Sequence, residues 1–176
     1  GDPISPDPNG RDLSNMPAGH YYIVATDTTG CASDEEIILR EPASYEITRI
    51  DGTYPGGYDI SCFGYSNGDV QISLSGGHSY DLNYVDFQWS NDEVGVFAAT
   101  QNVANLDTGR YYLSVTDDFN CSISDTFDLV QPTEIQYTVI DSSNYNNYEI
   151  SCFSFDDGFI DLDVSGSSGN YSYNWT

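Results

Sequence analysis

Ile60-Ser61-Cys62-Phe63 returns as Ile150-Ser151-Cys152-Phe153, and each copy is followed five residues later by a glycine, Gly68 and Gly158. A second pair has the same period. Gly19-His20-Tyr21-Tyr22 leads to Cys31, Gly109-Arg110-Tyr111-Tyr112 leads to Cys121, and both motif pairs are offset by 90 residues. Asn15 and Asn105, Asp27 and Asp117, Pro42 and Pro132, Asp51 and Asp141, and Tyr58 and Tyr148 keep that offset without a gap. A fixed internal period limits the fold to an array of similar units, each close to the lower end of domain size. With seams at Pro42 and Pro132, the chain reads as the C-terminal part of one repeat (1–42), a complete repeat (43–132) and the N-terminal part of a third (133–176). Half a repeat leaves an open sheet edge and a bare apolar face, so the chain is expected to be a segment of a longer polypeptide. The alternative is that the two halves complement each other head to tail between molecules.

Alternation of period two sets the class of each unit. Val70, Ile72 and Leu74 alternate with polar residues, as do Val85, Phe87 and Trp89, and Tyr111, Leu113 and Val115; Ile160, Leu162 and Val164 repeat the first set. Short runs of this kind, separated by Gly, Asn, Asp and Ser turns, predict an all-β chain of tandem immunoglobulin-like antiparallel β-sandwich repeats of about 90 residues. Trp89 falls where such sandwiches bury a tryptophan, and Leu106 to Tyr111 has the form of a tyrosine corner, as has Met16 to Tyr21.

The chain has 28 acidic residues, four Arg, no Lys and a net charge of −24. That charge repels nucleic acid and anionic membranes and keeps the surface solvated. No Lys–Asn isopeptide brace is available, so a covalent brace has to come from cysteine. Four Cys at repeating positions, without C-x-x-C spacing, read as disulfides and an oxidising, extracellular setting. Two patterns stay open: Cys62 with Cys121 inside the complete repeat, preferred because it makes each module self-contained, or Cys31 with Cys62 and Cys121 with Cys152.

No nucleophile elbow, phosphate loop or zinc-protease motif is present, and His20 and His78 occupy unrelated repeat positions, so no enzymatic activity is expected. No cofactor is called for, with calcium the one candidate. Its ligands would be the repeating acids Asp27, Asp117, Asp51 and Asp141, although Asp27 and Asp117 also suit turns in which the carboxylate caps backbone N–H groups. The seam loops holding Tyr54, Tyr58, Tyr145 and Tyr148 are candidate contact sites.

Ile60-Ser61-Cys62-Phe63, Asn67-Gly68-Asp69, Ser75-Gly76-Gly77, a tryptophan strand, the run from Leu106 to Tyr112 and the run from Val115 to Cys121 together resemble the SprB-type repeat of Bacteroidetes surface proteins. The resemblance implies a very large cell-surface filamentous adhesin, secreted by the type IX system, outer-membrane associated and acting in gliding motility and attachment. Its partners would be neighbouring repeats, external surfaces or polysaccharide and, through other parts of the parent protein, the gliding and secretion machinery. Asp27-Thr28-Thr29 is similar to the O-glycan acceptor pattern of that phylum, which would place a glycan on Thr28. This chain differs from the pattern by a four-residue insertion ahead of Trp89. The alternatives are an array of carbohydrate-binding modules, in which a row of exposed Tyr would stack on sugar rings, and a non-catalytic spacer of a secreted enzyme.

Overall fold

Every regular element among the described residues of the computed structural model, 5–6, 12–77, 85–167 and 169–176, is a β-strand, and every strand pairing is antiparallel. The all-β reading holds. His78 and most of the stretch carrying the insertion lie outside the described residues. The chain divides into two compact units, Gly1–Ser44 and Tyr45–Thr176.

In the first unit β1 (Ser5–Pro6) pairs with β2 (Leu13–Ser14), and β3 (Gly19–Thr26) forms a hairpin with β4 (Ala32–Leu39). The hairpin register runs from Gly19 opposite Leu39 to Thr26 opposite Ala32. Tyr21 donates its hydroxyl hydrogen bond to the Pro17 carbonyl at 2.7 Å, as a tyrosine corner does.

The second unit holds a complete module in two layers. One layer has the order β12-β11-β8-β9, formed by β8 (Val85–Asn91), β9 (Gly95–Ala98), β11 (Gly109–Asp117) and β12 (Ser122–Leu129). In the other, β5 (Glu46–Arg49) pairs with β7 (Ile72–Ser75), and β10 (Val103–Leu106) pairs with β6 (Gly68–Val70). Only Gln71 separates β6 from β7, and its carbonyl accepts the Ile50 N–H at 2.9 Å, while the two ribbons remain separate two-stranded sheets.

Alternating residues from both layers make one core. Val70, Ile72, Val103 and Leu106 from one layer meet Val85, Phe87, Trp89, Tyr111, Leu113, Val115, Phe127 and Leu129 from the other. Trp89 sits at the centre, fully buried, its ring centroid 5.4 Å from that of Phe127 and its indole N–H donating to the Thr100 carbonyl at 2.8 Å. The indole therefore fills volume without stranding its polar atom. Tyr111 repeats the corner seen at Tyr21, donating to the Asp107 carbonyl at 3.1 Å.

The remainder of this unit forms a further hairpin, β13 (Gln136–Ser142) with β14 (Ile160–Ser165). Its register starts with Gln136 opposite Ser165, one period on from Glu46 opposite Ser75. Equal spacing of equivalent residues has produced equivalent pairing.

Candidate functional site

The repeated motifs gather at the two ends of the complete module. β12 runs from Ser122, opposite Thr116, to Leu129, opposite Gly109. At ~3.4 Å per residue its eight residues separate those ends by roughly 27 Å.

The Ile60-Ser61-Cys62-Phe63 segment lies at the Leu129 end. Asp59 N–H donates to the Val130 carbonyl at 2.9 Å, Asp59 Oδ2 accepts the Val130 N–H at 2.8 Å, and Gly64 N–H donates to Gln131 Oε1 at 2.9 Å. The turn is closed by Asn67, whose Oδ1 accepts Ser61 N–H at 3.1 Å and whose amide donates to Ser61 Oγ at 2.7 Å. One period later Asp157 takes the place of Asn67 and accepts from both Ser151 N–H and Ser151 Oγ. Those two hydrogen bonds hold the Asp157 carboxyl below its ordinary range. Gly68 is required by space. A Cβ there would stand 2.8 Å from Leu129 Cδ2 and 3.0 Å from the Leu106 carbonyl oxygen.

Arg49 organises the same end. Its guanidinium pairs with Asp51 through Nη2 at 2.6 Å and Nε at 2.8 Å, and with Asp59 through Nη2 at 2.7 Å. Both carboxylates are shielded from solvent. Burial alone would raise the Asp51 carboxyl, but its hydrogen bonds to Arg49 and the Gln71 N–H outweigh that and hold it below the usual carboxylate range. Sequence reading did not assign this cluster. The available signal was a basic residue, rare in so acidic a chain, two positions before a repeating Asp.

The opposite end holds the second motif. Asp117 Oδ1 accepts the N–H groups of Phe119 and Cys121, both at 2.9 Å, and its Oδ2 accepts from the Tyr45 hydroxyl at 3.0 Å. Asp27 likewise accepts the N–H groups of Thr29 and Cys31, at 2.8 and 2.9 Å. Led by the Thr29 hydroxyl, these donors lower the Asp27 carboxyl. The turn-capping alternative thus describes both aspartates.

Of the calcium candidates, Asp27 and Asp117 are engaged by backbone donors, Asp51 by Arg49, and Asp141 accepts the N–H of Ser142 at 2.8 Å. Among the described residues no three His, Cys, Asp or Glu side chains are grouped to hold a metal. Thr28 is exposed in the turn after β3. Tyr54 and Tyr58 face each other across a tight loop, Tyr54 N–H donating to the Tyr58 carbonyl at 2.7 Å, and Tyr145 and Tyr148 close the equivalent loop at 2.6 Å. These pairs belong to separate loops, not to one row.

All four cysteines are free thiols and all are exposed. Cys62 and Cys121 sit at opposite ends of β12, roughly 27 Å apart by strand length, whereas a disulfide needs Cα atoms within about 7 Å. A bond between them inside the module is out of reach. The preferred pairing fails on geometry because the strand joining the two corners is fully extended.

His20 is exposed and its Nδ1 lies 2.6 Å from Glu36 Oε1 across the β3–β4 hairpin. The outward face of β8 and β11 offers Gln88, Ser90, Arg110, Tyr112 and Ser114, a polar surface with one Tyr.

These features define an all-β chain of antiparallel strand pairs related by a 90-residue period, with one shared core in its second unit. Residues 147–176 match the family model of the SprB repeat. Moved back by one period, that stretch begins at Gly57 and takes in Ile60 to Phe63 and the Asn67-Gly68 turn, so the matched motifs occur in the complete module too. No curated protein matches the chain.

Proposed function

We propose that this chain is a structural and adhesive segment of a very large cell-surface filament, built from immunoglobulin-like modules joined end to end and without chemistry of its own. The observation that carries this reading is the path of the complete module. The chain enters near Tyr45, hydrogen-bonded to Asp117, and leaves at Val130, bonded to Asp59 at the other end. A module with opposite entry and exit points passes tension along its strands, and the ladder between β11 and β12 bears it in shear. Strand order supports the immunoglobulin-like assignment, as do the buried Trp89 and the Tyr111 corner. Likeness to the SprB repeat supports an extracellular, surface setting, with gliding motility and attachment as the role, type IX export as the route and outer-membrane machinery as the partner of the parent protein. The loops of Tyr54, Tyr58, Tyr145 and Tyr148 are the proposed contact points for external surfaces or polysaccharide.

Beads coated with the chain test the adhesive part. Retention under flow on polysaccharide-coated glass, lost when Tyr145 and Tyr148 are replaced by Ser, is the expected result. No retention on any such surface, with force resistance of the module intact, would leave a spacer in place of an adhesin. Competition by free sugar through a single aromatic surface would favour the carbohydrate-binding alternative.

A further inference from the structure

Tension that enters the complete module near Tyr45 is carried first by β5, the strand next to the entry point. β5 is held to β7 by four register pairs, from Glu46 opposite Ser75 to Arg49 opposite Ile72, whereas β11 and β12 share eight. Rungs of similar strength loaded together make the shorter ladder the weaker one. On its ladder alone, β5 would be the first strand drawn off. A line of further bonds reinforces it. Arg49, the last residue of β5, donates from Nη2 to Asp59 Oδ1 at 2.7 Å. Asp59 is bound in turn to Val130, through its N–H at 2.9 Å and its Oδ2 at 2.8 Å, and the neighbouring Ile60 N–H reaches the same Val130 carbonyl at 3.3 Å. Ile60 is itself fully buried. The bonds thus run from the end of the entry strand to the exit residue without passing through the core.

We propose that Arg49 and Asp59 form a mechanical clasp, tying β5 to the exit residue Val130, that sets the force at which this module begins to lengthen. The inference rests on the load-bearing part of the function proposed above, not on adhesion. The surroundings suit the pair to that task. The Arg49 side chain is 27% exposed and that of Asp59 only 6%, and an ion pair shielded from water and salt attracts more strongly than one on the surface. Asp51 holds the guanidinium in place from its other edge while accepting the Gln71 N–H at 3.1 Å. One period on, Val139 stands where Arg49 does, yet the pairing from Gln136 opposite Ser165 to Val139 opposite Leu162 repeats that of β5 with β7. Strand pairing therefore does not need the arginine. The clasp is an addition that makes this repeat open at a higher force than its short ladder would set.

When the clasp parts, β5 leaves β7 and the chain is freed as far as the bonds of Asp59 with Val130. Residues 45–59 span at most about 50 Å when fully extended. Folded, they already cover the roughly 27 Å between the two ends of the module, so this first release lengthens the chain by roughly 20 Å. Residues 60–129, freed afterwards, extend to about 250 Å. The two events are therefore separable by length alone.

The test stretches single whole chains, held at their two ends, in an optical trap. A short extension of roughly 20 Å is expected ahead of the long one. At a fixed force, Arg49→Met and Asp59→Asn should each bring the short step on at least about tenfold sooner. Asp59→Asn keeps an amide oxygen for the Val130 N–H and serves where Arg49→Met does not fold. The hairpins before and after the module carry neither residue, so their opening is the internal control. Pulled instead through azide-bearing residues placed at positions 93 and 118, in turns at the two ends of the module and outside β5, the chain should show no short step, and the substitutions should hasten the long one far less. A single long event in the unaltered chain, a short step that both variants leave unchanged, or the same hastening in both pulling directions, as a merely structural role would give, would each overturn the clasp and leave the load-bearing module standing. Extension without resistance would overturn both.

Discussion

Arg49 shows how one side chain can be required by the two it neutralises. Removing it by Arg49→Met strands Asp51 and Asp59 in a shielded pocket, and breaking a buried ion pair from one side costs about 3 to 5 kcal/mol. Urea unfolding of the variant, followed by Trp89 fluorescence, should show that loss. The same cluster makes stability depend on pH. Because the folded Asp51 carboxyl titrates below its unfolded value of about 3.9, its contribution is complete above that value and is lost as pH falls through the folded one. Acid should therefore narrow the stability gap between the native chain and Arg49→Met. Calcium should do little here: with Asp27, Asp51 and Asp117 already engaged, saturating calcium is expected to leave the urea midpoint where EDTA leaves it. Gly68→Ala should cost about 1 to 3 kcal/mol, since the added methyl meets Leu129 and the Leu106 carbonyl, and a lowered midpoint at unchanged slope would register it.

At the scale of the element, the repeat period accounts for features that composition cannot. Asn15 and Asn105, one period apart, have φ of 59° and 58°, in the left-handed region where Asn is tolerated better than most side chains. Asn105 lies where the β10–β6 register shifts between Ala104 and Leu106, so its conformation makes the bulge. Asn105→Val should destabilise the module by about 1 to 2 kcal/mol while Asn105→Gly is tolerated, a contrast readable by thermal unfolding. Strands, faces and turn positions were legible in the sequence because each follows from local periodicity and from residues with few backbone options. The inward set from Val85 to Trp89 and from Tyr111 to Val115 emerged buried as the alternation required. Arg49 was not legible in this way, since its partner Asp59 is ten residues away and meets it only after β5 and the following loop fold back.

For the molecule as a whole, charge sets how closely copies approach in solution. A net charge of −24 repels a second copy, and salt screens that repulsion. Raising ionic strength from about 0.01 M to about 0.15 M shortens the Debye length from ~30 Å to ~8 Å, so the self-repulsion read from the concentration dependence of sedimentation should weaken at the higher salt. The 90-residue period, the antiparallel all-β class and the turn-capping role available to Asp27 and Asp117 were determined by the sequence alone. Each follows from residues near one another in the chain, where periodicity and turn chemistry act. Which cysteines can meet, and which carboxylates hold a cation, was decided only by the tertiary structure. Those questions depend on which end of a strand each corner occupies, and an extended β12 puts roughly 27 Å between two corners that the repeat alone would allow to be neighbours.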